Sequence, residues 1–179
     1  MLKQFTIFFL LISSCFSFPE QQVSLRIDSL KSALTKAKED TIKVLLLNDL
    51  SISYYSINTD EGVFYGEHAL ELAEKLNWHS GIASAFKSLG VNYAIKAIYS
   101  KALEYFMKSL SIYTELGDKK NIAGVSNSLG LFYVEQNKED EALKYFNKAI
   151  LLNKELQNDS GLASNYLNLA LLYKVKLLY

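Results

Sequence analysis

Residues 81–120 and 121–160 align without a gap and are identical at thirteen of forty positions. They share Ile82/Ile122, Ser88/Ser128, Leu89/Leu129, Gly90/Gly130, Tyr93/Tyr133, Ala102/Ala142, Tyr105/Tyr145 and Phe106/Phe146 among others. Ordinary residue frequencies would give about two or three such matches. A fixed period of this length means a chain built by stacking one supersecondary unit, because a single unit cannot bury its own apolar face. Two further copies flank the pair. Leu50 precedes Leu89 by 39 residues, and Leu129 precedes Leu169 by 40. The repeat boundaries are therefore 42–80 for a diverged copy, 81–120, 121–160, and 161–179 for an incomplete one.

Each copy holds two stretches of helical apolar spacing. They cover 42–57 and 60–76, 81–96 and 99–116, 121–136 and 139–157, then the run from Gly161. The missing residue of the first copy is assigned to the turn at Asn58-Thr59-Asp60, where a deletion is cheapest. Ahead of the array, residues 22–38 place Val23, Ile27, Leu30, Leu34 and Ala37 at helical spacing and read as an N-terminal capping helix. Asp40 or Thr41 then caps the next helix. Asn137 suits a left-handed helix end, whereas Ala97 at the equivalent place predicts a locally different turn. Pro19 is the only proline and precedes every repeat, so nothing interrupts the helices. The chain is expected to be all-α, a right-handed superhelical solenoid of antiparallel helix pairs with about seven helices after the leader.

The first residues read as a targeting segment. Lys3 is followed by the eight-residue apolar run Phe5–Ile12, too short to span a bilayer, and then by small residues. Two readings stand. Cleavage after Ser17 removes residues 1–17 as an ordinary signal peptide. Alternatively Leu11-Ile12-Ser13-Ser14-Cys15 resembles a bacterial lipobox, which makes Cys15 a lipidated N-terminus. Either way the chain is expected to be exported, to a periplasm or cell envelope. Any membrane association comes only through that lipid or a missing downstream segment. Cys15 is the only cysteine, so no disulfide holds the array. With 19 basic and 19 acidic residues the chain has no electrostatic footprint for nucleic acid.

The recurring signature is Leu89-Gly90, Tyr93, Ala102 and Phe106 in the second copy, and Leu129-Gly130, Tyr133, Ala142, Phe146 and Ala149 in the third. Gly90, Ala102, Gly130 and Ala142 are small where helices cross, and the aromatics fill the wedge between repeats. Each buried aromatic is worth roughly 2–3 kcal/mol. The pattern resembles the tetratricopeptide repeat over about residues 42–173. Ser126 and Gly66 depart from it, and Tyr65 or Phe64 is expected to fill the space that Gly66 leaves. The commonest form has 34 residues. The extra length here is assigned to the second helix and its following turn. Exported arrays with such longer repeats are similar to the sensory region of bacterial histidine kinases and related transcription regulators.

The resemblance implies that the first helix of each pair lines a concave face. Groove candidates are Asn48, Ile52 and Tyr55, then Lys87 and Val91, then Asn127, Leu131 and Val134, then Leu167 and Leu171. This apolar strip edged by amides and one lysine suits an extended or helical peptide. Val91, Ser128, Ser164 and Asn168 stand where the family's carboxylate clamp for chaperone tails would be, which argues against that partner class. The missing second helix of the fourth copy should leave Leu169, Leu172, Tyr173 and Leu177 bare, a surface on which a second copy of the chain can pack.

Residues carrying catalytic chemistry are sparse. His68 and His79 lack metal-ligand spacing, and no phosphate loop or nucleophile elbow occurs. Glu139, Asp140 and Glu141 open a helix, where they complement its dipole. Trp78 belongs to a loop, packed or at an interface. No enzyme activity, metal or cofactor is expected. The expected function is a protein-interaction module that binds a peptide or protein segment. The alternative is a truncated sensor region of a histidine kinase or transcription regulator without its output domain.

Overall fold

The computed structural model describes residues 18–177, so the expected signal segment and Cys15 lie outside the described residues. Among the described residues eight α-helices follow one another, matching the capping helix and the seven stretches of the repeats: α1 Phe18–Leu34, α2 Thr41–Ser53, α3 Thr59–Lys75, α4 His79–Ile95, α5 Tyr99–Glu115, α6 Lys119–Glu135, α7 Glu139–Glu155 and α8 Asp159–Leu177. No helix among the described residues is long and apolar enough to cross a membrane.

The forty residues of a copy divide evenly. Helices α3 to α7 each have 17 residues. The turns 76–78, 96–98, 116–118, 136–138 and 156–158 have three residues each. The length beyond 34 residues is thus shared by both helices rather than placed in the second. Left-handed residues recur every twenty positions at Asn77, Ala97, Gly117, Asn137 and Gln157, with φ of 50°, 56°, 65°, 55° and 52°. The residue after each bonds back to a carbonyl in the last helical turn, as in Ile98 N–H to Tyr93 O at 2.9 Å and Lys138 N–H to Tyr133 O at 2.9 Å. This closes the helix end and satisfies its free carbonyls. Ala97 adopts the same turn as Asn137, so the local difference expected there does not occur. The backbone bonds and the packing of two long helices outweigh a strain of about 1–2 kcal/mol.

The first copy departs from this scheme. Asp40 caps α2, accepting from Ile42 N at 2.9 Å. Helix α2 unwinds early, after 13 residues, and residues 54–58 absorb the deletion. Thr59 and Asp60 already belong to α3, whose cap is Asn58.

Each helix packs on the next in sequence. The even helices also touch one another, α2 with α4, α4 with α6 and α6 with α8, whereas α3, α5 and α7 do not. The even row is therefore the inner side of a curved stack. The core follows the period. A Cβ on Gly90 would lie 2.7 Å from the Phe106 ring, and one on Gly130 would lie 2.4 Å from the Phe146 ring. Only glycine lets α4 meet α5, and α6 meet α7, across a full phenylalanine. Stacked tyrosines join the helices of each pair: Tyr54 on Tyr65, Tyr93 on Tyr105 and Tyr133 on Tyr145, with centroids 5.5–5.6 Å apart. At Gly66 the space is filled by Leu89 of the next copy, 2.8 Å from an added Cβ, and not by Phe64, which is exposed.

Candidate functional site

The even helices carry the groove. On α6 the residues Gly124, Asn127, Ser128, Leu131 and Glu135 recur at three and four positions and share one face. Facing them, Tyr55 from the turn after α2 and Val91, Ala94 and Ile95 from α4 close an apolar cleft of about 260 Å³. Phe106 and Phe132 form its floor, and Glu135 and Ser128 supply its polar atoms. Tyr55, Ile95 and Leu131 are exposed there although all are large and apolar. Exposed apolar residues gathered around one cleft, rather than scattered singly, are what marks a binding surface.

Of the ten expected groove residues, Tyr55, Val91 and Leu131 meet in this cleft. Ile52 is half-buried. Val134 is half-buried against the core around Ala142, Phe146 and Leu172. Leu167 and Leu171 are exposed on α8. Asn48 does not belong to the surface. It is only 3% exposed, covered by α4, and accepts a hydrogen bond from Ser88 Oγ at 3.2 Å. Contact between inner-row helices buries what an isolated helix would show. Lys87 is half-buried, and loss of solvent pushes its ammonium below the usual lysine range, opposed only by the nearby Asp49.

Asn127 belongs to a second, polar cleft of about 250 Å³, between α6 and α8. Four asparagines of its lining, with Asn168 beyond it, form a chain of hydrogen bonds. Asn158 Nδ2 donates to Asn153 Oδ1 at 2.8 Å, and Asn153 Nδ2 donates to Asn165 Oδ1 at 2.7 Å. Asn165 Nδ2 and Asn168 Nδ2 both donate to Asn127 Oδ1, at 2.8 and 2.9 Å. Asn153 and Asn165 are buried, and Asn158 also caps α8 through Gly161 N. Only Asn127 of the five stands out from sequence as a candidate. The signal that marks the rest is the crowding of asparagine into the last stretch of the array.

Of the terminal residues expected to be bare, Tyr173 is exposed, Leu169 and Leu172 are not, and the Leu177 side chain lies outside the described residues. Leu172 is buried against Ala142 and Phe146, and Leu169 packs beside it. Tyr166, Leu167, Leu171 and Tyr173 are the large exposed residues of α8.

Elsewhere, a cleft of about 370 Å³ opens between α1 and α3, over Leu34, Leu47, Phe64 and Leu72. Its rim holds the Glu39–Lys75 ion pair at 2.6 Å and His68, whose ring lies 4.1 Å from that of Phe64. His79 is the first residue of α4 rather than part of a turn. Trp78, just before it, lies over Gly81 and joins the core of α2 and α3. Among the described residues no group of three or more His, Cys, Asp or Glu is arranged to hold a metal ion.

Comparison with known structures decides the fold. The crystal structure of BtubC (BKLC) from P. vanneervenii matches with a TM-score of 0.68 at 19% identity, covering 88% of this chain and 68% of that one. The crystal structure of a Rap protein complexed with competence and sporulation factor matches with a TM-score of 0.70 at 19% identity, covering 80% of this chain and 41% of that one. The fold is a tetratricopeptide-like helical repeat. This chain spans less than half the length of the Rap chain. No family model matches the sequence, and no curated protein is similar to it.

Proposed function

We propose that the chain is a non-catalytic interaction module that holds a peptide or protein segment along its inner face. The observation that carries this reading is the open apolar cleft between the inner helices α4 and α6 and the turn after α2, where Tyr55, Ile95 and Leu131 stand exposed. A stack of helices has no need to leave such residues in water, and the cleft is wide enough to seat one or two apolar side chains. The similar Rap protein was solved with competence and sporulation factor bound, which supports a recognition role for a stack of this kind. The apolar run at residues 5–12 further supports export to the cell envelope, where the partner would be met.

A photo-crosslinking residue at Leu131, compared with one at Leu151 on the exposed side of α7, tests the assignment in envelope extract. The expected result is a discrete crosslinked partner from position 131 alone, lost when Tyr55→Glu is added. Equal crosslinking from both positions, or a product from 131 that survives Tyr55→Glu, would place the partner elsewhere.

A further inference from the structure

The cleft between α1 and α3 is filled one copy later by a side chain of the protein itself. Leu47, Tyr65 and His68 line it, and their counterparts in the second copy are Phe86, Tyr105 and Lys108. There the Phe86 ring stacks on Tyr105, with centroids 5.7 Å apart, and Lys108 covers it at 5.5 Å. In the first copy Leu47 is too short to fill that place, and the cleft of about 370 Å³ stays open. A small residue alone does not open it, since Ser126 holds the position in the third copy and is fully buried. The first copy adds a longer connection. Residues 35–40 join α1 to α2 with six residues where the later turns have three, and Thr35 and Glu39 of that connection form part of the rim.

Two further exchanges set the chemistry of the cleft. Phe64 replaces the charged Glu104 and Lys144 of the later copies and stands exposed at its edge, against the His68 ring. His68 Nδ1 donates to Phe64 O at 2.9 Å, which holds that imidazole in place. Lys43 replaces Ile82 and Ile122, so a half-buried lysine borders an apolar floor. Among the described residues it enters no ion pair, because Glu39 beside it is taken by Lys75 at 2.6 Å. Lys75 first, and Lys43 after it, hold the Glu39 carboxyl below the usual carboxylate range.

We propose that this cleft binds a small aromatic carboxylate, its ring taking the place that the Phe86 ring takes one copy later and its carboxylate meeting Lys43. Tyr65 offers the ring a stacking face, as Tyr105 does for Phe86. Leu47 and Leu72 form the apolar floor, and Phe64 and His68 close the side. At roughly 30 Å³ for each water-sized atom the cleft holds about a dozen non-hydrogen atoms, the size of one ring with a short acid chain. An apolar lining with a few placed polar groups is what a small-molecule site needs. The carboxylate gains a charge-assisted hydrogen bond from Lys43, and Lys75 already neutralises Glu39. Two sources share this chemistry, a simple aryl acid and a free aromatic amino acid. Glu71, also on the rim, offers its carboxylate to the ammonium of the second. The site lies on the outer side of the stack, apart from the inner cleft at Leu131, and neither reading depends on the other.

Calorimetric titration of the full chain with hydrocinnamate and with L-phenylalanine tests the site. Saturable binding at one site is expected, and the tighter of the two probes names the source. Leu47→Phe installs the ring that the second copy carries, and should abolish binding with helix content unchanged by circular dichroism. Lys43→Ile, which installs the residue of the later copies, should weaken hydrocinnamate about tenfold and leave its neutral amide, hydrocinnamamide, unaffected. Cyclohexylpropionate, of the same size without a π face, should bind several-fold more weakly than hydrocinnamate. Phe64→Glu changes an exposed position that is glutamate in the second copy, and should weaken both acids about tenfold, so the test stands even where Leu47→Phe does not fold. No saturable binding of either probe overturns the proposal, as does binding that Leu47→Phe or Phe64→Glu leaves intact. Loss of acid and amide alike in Lys43→Ile, or of neither, overturns the carboxylate assignment. Cyclohexylpropionate binding as tightly as hydrocinnamate overturns the aromatic one.

Discussion

The second and third copies close their helix pairs with the same device, and the first copy closes its pair with the reverse. In the later copies a phenylalanine on the outer helix, Phe106 or Phe146, covers a glycine on the inner helix, Gly90 or Gly130. In the first copy the outer helix carries Gly66 where the phenylalanine would be, and Leu89 enters from the neighbouring copy. The exchange extends further. Asn92 stands where the third copy has Phe132, and it donates to Ser51 O, Ser51 Oγ and Ser88 O at 3.0–3.1 Å. Ser51 Oγ in turn donates to Gly62 O at 2.7 Å. A Cβ on Gly62 would sit 2.0 Å from Asn92 Oδ1. Gly62, Gly66 and Ser51 are therefore small together because Asn92 and Leu89 occupy the space. What looks like decay of a repeat is a compensated packing solution that spans two copies.

The largest expected effect tests the aromatic side of this comparison. Phe106→Ala removes a side chain that is 1% exposed and meets Phe132 edge-on at 5.8 Å. It should cost roughly 3–5 kcal/mol in urea unfolding, since the rigid helices around it cannot collapse into the void. A loss under about 1 kcal/mol would mean that the stack tolerates an empty wedge.

The reverse substitution tests the other side. Gly66→Phe restores the repeat signature, and a consensus argument predicts a gain. The structure predicts a loss of about 1–3 kcal/mol or more, because Leu89 Cδ2 and Ser51 Oγ already lie 2.8 and 3.0 Å from an added Cβ. Stabilisation by Gly66→Phe would show that the first copy is merely degenerate.

The same contrast explains what the chain discloses before it folds. Features that recur with the period are legible: the helix pairs, the small residues at their crossings and the grouping of Tyr55, Val91 and Leu131; the phenylalanines are expected between repeats, whereas Phe106 and Phe146 lie on Gly90 and Gly130 within a pair. The residues that depart from expectation break the period. Asn48 looks like a groove residue by position, yet α4 lies over it and Ser88 bonds to it. Leu172 looks bare by position, yet it folds onto Phe146. The asparagine chain draws on Asn153, Asn158 and Asn165, whose counterparts forty residues earlier are Tyr113, Asp118 and Val125. A hydrogen-bond network joining three helices has no period to betray it.

The smallest effect concerns the charge of Lys87 on α4, beside Asp49 of α2. Lys87 occupies the repeat position that Asn127 holds in the third copy, and its burial lowers its affinity for protons below the usual value of 10.5. The unfolded chain keeps that lysine protonated up to its ordinary value, while the folded chain releases the proton earlier. Between those two points the unfolded state binds more protons, so stability rises with pH across the window. Below the window the folded state carries the cost of a charge withdrawn from water. Lys87→Met keeps a flexible stem of similar length and removes the charge. It should raise stability at pH 7 by less than about 1 kcal/mol, because the lysine remains partly solvated. The advantage should shrink as pH climbs toward 10. Tyr65, Tyr105, Tyr113 and Tyr133 are held protonated by burial and lower the stability of both proteins above that range alike, so the difference between the two curves isolates Lys87. A difference that stays constant with pH would mean that methionine gains by packing, and that the Lys87 ammonium is as well solvated as any on the outer helices.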